Sequence, residues 1–281
     1  MGRVTERRRV VRIRDGVVSE RADTLVGEEP MEIRVNGTSL AITMRTPGDD
    51  FALASGFLVS EGVLGRSDEV SRIAYCAGAD GTPGAANSYN IVDVRLAEGV
   101  PDPEAALRRH VYTTSSCGLC GKASLDAVRT TARWPAAPGP RLSTEVLGAL
   151  PDRLRAAQRI FDRTGGLHAA GLFAADGRLL DVREDVGRHN AVDKVVGRAL
   201  RDGLLPLNDT VLVVSGRASF ELVQKAVMAG ISVLAAVSAP SSLAVGLAEE
   251  AGLTLVGFLR GTSMNVYAGA QRLSLPSTGG S

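Results

Sequence analysis

Three nearly continuous apolar segments in the second half of the 281-residue chain constrain its fold more than any other feature. They are 210–216, 231–238 and 253–259, and segments with helical periodicity precede and separate them. A strand without alternating polar positions is buried on both faces, and strands that alternate with helices form α/β sheets. From Gly165 onwards the pattern therefore predicts a mixed sheet covered by helices on both sides, with a hairpin around Asp176-Gly177.

The first half is richer in strand signals. Asn36-Gly37 lies between two alternating segments, which predicts a tight hairpin, and further strands are expected at 10–14, 70–75 and 89–96. A helix over about 51–63 is predicted to begin with Asp49 or Asp50 as its cap.

The most linker-like stretch is Trp134–Pro140, which is rich in proline and alanine. We therefore predict a β-rich N-terminal subdomain over 1–133, a linker over 134–141 and an α/β domain over 142–281. A helix is expected at 144–163, with a kink at Pro151.

The charge balance and the cysteine count exclude several classes of protein. A formal net charge of +1 argues against a dedicated nucleic-acid-binding protein. No apolar run is long enough for a transmembrane helix, and the arginine-rich N-terminus lacks the apolar stretch of a secretory signal. Three cysteines do not suit a disulfide framework, so we expect a protein of the reducing cytoplasm.

The most specific local motif is Cys117-Gly118-Leu119-Cys120-Gly121-Lys122. The glycines allow a tight bend, and Lys122 beside a helix start favours the thiolate, which is the nucleophilic form of cysteine. Redox or group-carrier chemistry, half of a zinc site and a plain loop all remain open from the spacing alone.

A hydrolytic zinc deaminase is disfavoured. In those enzymes a His-x-Glu motif precedes Cys-x-x-Cys, and the glutamate transfers protons. Here Ala170 occupies the glutamate position after His168, and the cysteine pair precedes the histidine.

Polar segments follow the buried strands. Arg183–Asn190 surrounds a predicted helix start, for which Asp185 is the expected cap, and Ser215–Ser219 and Arg260–Ser263 follow two apolar strands. Strand ends and helix starts of α/β proteins bind phosphates, although the P-loop pattern is absent. The chain has 32 Lys and Arg residues but only three lysines, which are Lys122, Lys194 and Lys225. Because the lysines lie in or beside the segments described above, we interpret them as contributors to an anion site.

Five motifs in one order carry a resemblance to a known family: SSCGLCG, GGLHAAGLF, REDVGRHNAVDKV, SGRASFELVQKA and GFLRGTSMNVY. Together they resemble the accessory sulfurtransferase of formate dehydrogenase, over about residues 10–273. The resemblance implies a cytidine-deaminase-like α/β fold without the deaminase zinc chemistry, no structural metal, and a homodimer.

The resemblance also implies a function. The family takes persulfide sulfur from a cysteine desulfurase and passes it to the molybdenum bis(molybdopterin guanine dinucleotide) cofactor of formate dehydrogenase. Cys117 matches the persulfide carrier and Cys120 the second loop cysteine. The residues expected to bind the cofactor are Phe258, Leu259, Arg260, Gly261, Thr262, Ser263, Arg217, Ser219 and His189. The alternative is a chaperone that delivers the cofactor without covalent chemistry. Neither hypothesis involves nucleic acid or a membrane.

Overall fold

A computed structural model describes residues 4–76, 89–103, 132–134 and 138–274 of the chain. The cysteine loop at 115–121 lies outside these residues. The predicted linker is described only in part, so the division at 134–141 stays a prediction. No helix in the described part is long and apolar enough to cross a membrane.

The chain begins with a hairpin of two ten-residue strands, β1 (Thr5–Arg14) and β2 (Val17–Val26). They pair antiparallel around Asp15-Gly16, where both residues have positive φ. The sequence predicted a strand only over 10–14. Arg7, Arg8 and Arg9 are exposed, but they belong to the strand because β2 supplies a partner for each of them.

A four-stranded sheet follows, with the strand order β4-β3-β6-β5. Its strands are β3 (Glu29–Val35), β4 (Thr38–Arg45), β5 (Val70–Tyr75) and β6 (Ile91–Leu96). Asn36-Gly37 forms the β3–β4 turn with φ of 50° and 82°, which confirms the predicted hairpin. Helix α1 (Asp50–Ser60) connects β4 to a 3₁₀ turn at Ser67–Glu69.

One of the two predicted caps of α1 is correct, but in position only. Asp49 occupies the cap position in the left-handed region but makes no side-chain bond to the helix. The Asp50 carboxylate instead pairs with the fully buried guanidinium of Arg45 at 3.0 Å. An ion pair of this kind depends on tertiary packing, which a local capping rule does not include.

The second half forms a six-stranded mixed sheet of strand order β13-β12-β11-β10-β8-β9. Its strands are β8 (His168–Ala174), β9 (Leu179–Asp185), β10 (Thr210–Val214), β11 (Val233–Ala236), β12 (Thr254–Arg260) and β13 (Ser263–Ala268). Strands β10, β11 and β12 are parallel, and the others are antiparallel to their neighbours. The helices between them are α4 (Arg188–Arg201), α5 (Phe220–Met228) and α6 (Ser242–Glu250).

Helix α2 (Thr144–Ala157) and the short α3 (Phe161–Thr164) replace the single helix predicted at 144–163. Pro151 lies inside α2, and the break comes after Ala157. The Glu184 carboxylate accepts hydrogen bonds from the amides of Ile160 and Phe161 at 2.9 and 2.8 Å, so it stabilises a second helix start. Two-residue strands β7 (Leu142–Ser143) and β14 (Leu273–Ser274) pair in parallel, and a 3₁₀ turn covers Ala270–Arg272.

Both faces of the large sheet are covered, as predicted. Along β10, Leu212 and Val214 pack in one apolar cluster, whereas Val211 and Val213 pack in another. The first cluster contains side chains of α1, α4, α5 and α6, and the second contains those of α2. The mixed α/β class with a β-rich N-terminal part is confirmed, and the likeness to cytidine deaminases stays a prediction.

Helices α1 and α4 cross with their backbones in contact at two glycines. A Cβ atom added to Gly56 would overlap the carbonyl oxygen of Asp193, and one added to Gly197 would overlap that of Ala52. This crossing connects the N-terminal sheet to the large sheet, because α1 follows β4 and α4 follows β9.

Substitution at the crossing is expected to destabilise the protein. Gly197→Ala forces the helices apart and should lower the free energy of unfolding by about 1–3 kcal/mol or more. The matched control is Gly246→Ala in α6, where a Cβ would meet no atom within 4 Å. That change should stabilise the protein by up to about 1 kcal/mol, since alanine favours the helix. Chemical denaturation measures both, and equal stability of the two variants would contradict the described crossing.

Candidate functional site at the strand ends

The predicted polar segments come together at one edge of the large sheet. Strands β9 to β12 end at this edge, and β8 and β13 begin there, because β8 is antiparallel to β9 and β10 and β13 is antiparallel to β12. We call it the strand-end edge; it comprises His168, Asp185–His189, Ser215–Ser219, Ser238–Ser241 and Phe258–Ser263. Ligands of α/β proteins bind at such edges.

The nine predicted cofactor-binding residues all lie on this edge. Arg217 and Arg260 are exposed, as are the small residues Gly261, Thr262 and Ser263. Leu259 differs, because its side chain is fully buried in the apolar cluster beneath α2. Any contact of Leu259 with a ligand would use its backbone. The two predicted cysteines of the site, Cys117 and Cys120, lie outside the described residues.

Phe258 has an unusual backbone conformation. Its φ is +52°, and its amide donates a hydrogen bond to the Ser238 carbonyl oxygen at 3.1 Å. The register of the β12–β13 pair shifts between Gly257 and Arg260, and the Phe258 side chain is 39% exposed. Left-handed conformations of bulky residues cost free energy and concentrate at functional sites. Nothing in the sequence pattern of this apolar strand indicates such a conformation.

The turn from β12 to β13 rests on helix α2. A Cβ added to Gly148 would overlap the carbonyl oxygen of Gly261 at the tip of this turn. Gly148 therefore determines how closely α2 approaches the turn. An isolated glycine inside a helical pattern is the sequence signal for such close packing, and the sequence reasoning missed it.

Helices α4 and α5 begin side by side at the edge. His189 Nε2 lies 3.3 Å from Ser219 Oγ and 3.9 Å from a carboxylate oxygen of Glu221. The cap positions are held by Gly187 for α4 and Ser219 for α5, and neither residue makes a side-chain capping hydrogen bond. At α5 the Glu221 carboxylate accepts a hydrogen bond from its own backbone amide, so an acidic side chain rather than the cap residue serves that amide.

The prediction that Asp185 caps helix α4 is wrong, because Gly187 holds the cap position. Asp185 is fully buried and accepts hydrogen bonds from the Thr46 amide, the Gly187 amide and Asn190 Nδ2 at 3.1, 2.8 and 2.9 Å. Lys194 Nζ lies 2.7 Å from the same carboxylate. Asp185 therefore links the end of β4 to the first turns of α4.

The interpretation of Lys194 and Lys225 as contributors to the anion site is wrong. Lys194 pairs with Asp185, and Lys225 Nζ donates to both carboxylate oxygens of Asp193 at 2.8 Å. These four side chains are buried, so each ammonium neutralises an internal carboxylate. Lys122 lies outside the described residues.

The remaining titratable groups define the electrostatics of the edge. Burial, followed by the charges of Lys225 and Arg188, lowers the pKa of His189 to about 4, so the imidazole is neutral at physiological pH. Burial and Arg188 also lower the pKa of His168. Cys76, at the end of β5, is a partly buried free thiol. No group of three or more metal-binding side chains occurs in the described part, and the expected lack of a structural metal stays a prediction.

The fold and the edge thus define a mixed α/β protein with arginines, hydroxyls and neutral histidines at its strand ends. Comparison with known proteins identifies the family to which this protein belongs. The model of the FdhD/NarQ family matches residues 26–274. The chain belongs to the FdhD/NarQ family.

Several relatives have been named. The chain is 74% identical to the "Sulfur carrier protein FdhD" of Streptomyces avermitilis over 277 residues, 98% of each chain. It is 56% identical to the protein of that name from Mycobacterium tuberculosis, over 98% of this chain and all of that one. A crystal structure of a protein from Desulfotalea psychrophila, assigned as a formate dehydrogenase accessory protein, matches with a TM-score of 0.74 and 26% identity. The match covers 96% of this chain and 100% of that one.

The pKa of His189 predicts a pH dependence. Because about 4 in the folded protein lies below the ordinary 6.5, the unfolded chain binds more protons between these pH values. The contribution to stability is therefore present above pH 6.5 and is lost as the pH falls towards 4. His189→Gln should lose less stability than the natural protein between pH 7 and pH 5, as measured by chemical denaturation. An imidazole that titrates near 6.5 by NMR would contradict the described burial.

Proposed function

We propose that this protein is a sulfur carrier for the maturation of formate dehydrogenase. It accepts persulfide sulfur on Cys117 from a cysteine desulfurase and transfers it to the molybdenum bis(molybdopterin guanine dinucleotide) cofactor, which the dehydrogenase then receives. The observation that carries the proposal is the 74% identity, over 98% of both chains, to a protein named as a sulfur carrier. The proposal also includes that the protein forms a homodimer and that it acts in the cytoplasm.

The sulfur chemistry needs two steps. In the first step, the Cys117 thiolate attacks the terminal sulfur of the desulfurase persulfide; a new S–S bond forms, and the desulfurase cysteine leaves as a thiolate. No net oxidation or reduction occurs. In the second step, release of the sulfur as sulfide requires two electrons. The Cys120 thiolate supplies them by attacking Cys117 Sγ, which leaves a Cys117–Cys120 disulfide and frees sulfide for the metal. A cellular dithiol then reduces the disulfide.

The strand-end edge suits the cofactor, which is the cargo of this protein. Its pyrophosphate is anionic, and guanidinium groups bind phosphates through paired hydrogen bonds. Arg217 and Arg260 are exposed on this edge, as are Thr262 and Ser263, whereas Ser219 on the same edge is partly buried. Neutral His189 adds a ring nitrogen that can form a hydrogen bond, without a positive charge that would repel the guanidinium groups.

Sulfur loading tests the proposal directly. Incubation with a cysteine desulfurase and cysteine should add one sulfur atom to the intact protein, as measured by mass spectrometry under non-reducing conditions. Cys117→Ala should abolish the added mass, because the accepting thiolate is gone. Cys76→Ala is the matched control and should load normally. Loading of Cys117→Ala to the natural level would contradict the role of this cysteine.

A substitution in helix α2, on which the turn from β12 to β13 rests, tests whether the cofactor binds at this turn. Gly148→Ala should displace the turn, since a Cβ there overlaps the Gly261 carbonyl oxygen. We expect less molybdenum cofactor to co-purify with this variant, whereas Gly246→Ala should retain the natural amount. Circular dichroism confirms that both variants are folded. Equal cofactor content in folded Gly148→Ala would argue against binding at Phe258–Ser263.

A further inference from the structure

Arg188 is the first residue of α4 and lies on the strand-end edge beside His189. It is partly buried, and its Nε atom is fully buried without a hydrogen-bond partner. No hydrogen bond or ion pair reaches its guanidinium from the residues that the structure describes.

Three buried cations in the described part of the chain are neutralised by carboxylates. Arg45 pairs with Asp50, Lys194 with Asp185 and Lys225 with Asp193, all at 2.7–3.0 Å. A buried donor without an acceptor costs free energy, and the cost is larger for a charged group. A ligand that accepts hydrogen bonds from Arg188 would recover this cost, so the unpaired guanidinium points to an anion.

The surroundings of Arg188 fit an anionic ligand. Burial and then the Arg188 charge lower the pKa of His168, and burial, Lys225 and then Arg188 lower that of His189, so both rings are near the guanidinium and neutral. A Cβ added to Gly216 would lie 3.5 Å from His168 Nδ1, so the chain after β10 passes close to this ring. Two carboxylates act on these groups: Glu221 interacts with Arg188 and hydrogen-bonds Ser219, whereas Asp185 acts on His168 but is paired with Lys194.

We propose that Arg188 is the central phosphate ligand of this edge and binds a diphosphate group together with the first-turn amides of α4 and α5. Both helix starts lack side-chain caps, and the His189–Ser219 contact of 3.3 Å joins them. Two adjacent helix starts favour two linked negative charges, and a guanidinium binds phosphate oxygens in pairs. The inference deepens the proposed function and rests on it for the natural ligand, the pyrophosphate of the guanine dinucleotide.

The test is calorimetric titration of the purified full-length protein with inorganic pyrophosphate and with guanosine diphosphate. Arg188→Met keeps the apolar stem but removes the charge, and it should weaken binding of both probes about tenfold to a hundredfold. Arg198→Met, in the last turn of the same helix, removes an exposed arginine that pairs with Asp202 and should bind as the natural protein does. Glu221→Gln should bind both probes more tightly, because it removes the opposing charge.

The proposal is overturned if the natural protein binds neither probe, or if Arg188→Met binds both as the natural protein does. Similar affinities for the two probes would indicate that the diphosphate alone is recognised; tighter binding of guanosine diphosphate would indicate additional contacts with the nucleoside. Arg188→Met should unfold at a denaturant concentration no lower than the natural protein without ligand, since it removes an unpaired buried donor. A marked fall in that midpoint would instead assign Arg188 a structural role.

Failure of this inference is distinguishable from failure of the proposed function. Cys117→Ala should still bind pyrophosphate, and Arg188→Met should still accept sulfur from the desulfurase. Loss of sulfur loading alone would contradict the carrier role and leave the anion site in place.

Discussion

The contact between α1 and α4 is the constraint on which the rest of the structure depends. Gly56 and Gly197 allow the two backbones to touch, and buried polar groups cross the contact beside them. Ser60 Oγ donates to Asp193 at 2.8 Å, and Lys194 Nζ donates to the Thr46 carbonyl oxygen at 2.9 Å. Asp193 and Lys194 also belong to buried ion pairs, with Lys225 and Asp185, and removal of one partner from such a pair typically costs about 3–5 kcal/mol. The crossing therefore holds α4 against the N-terminal part of the chain and places its first residues on the strand-end edge.

Much of the large sheet could be predicted because its signals are local. Continuous apolar segments separated by amphipathic ones predict buried strands and helices, and Asn36-Gly37 and Asp176-Gly177 mark tight turns. The errors arose where distant residues decide the structure. The helix after residue 144 breaks at 157 because Glu184, on β9, binds the amides of Ile160 and Phe161. The lysines were predicted to contribute to an anion site, but two of them are paired with buried carboxylates.

The composition of the candidate site was predictable, but its geometry was not. Strand topology brings His189, Arg217 and Phe258–Ser263 to one edge, and the pattern of strands already suggested this outcome. The buried side chain of Leu259, the positive φ of Phe258 and the unpaired guanidinium of Arg188 all depend on tertiary packing. Under the proposed function, the strand-end edge binds the anionic cofactor. The cysteine motif, which lies outside the described residues, carries the sulfur.

Complementation of a bacterial strain that lacks its own FdhD/NarQ protein tests the central claim most directly. Formate dehydrogenase activity should return with the natural protein and with Cys76→Ala, and it should stay absent with Cys117→Ala at equal protein levels. Restoration of activity by Cys117→Ala would contradict covalent sulfur transfer and would establish the protein as a chaperone that delivers the cofactor without it.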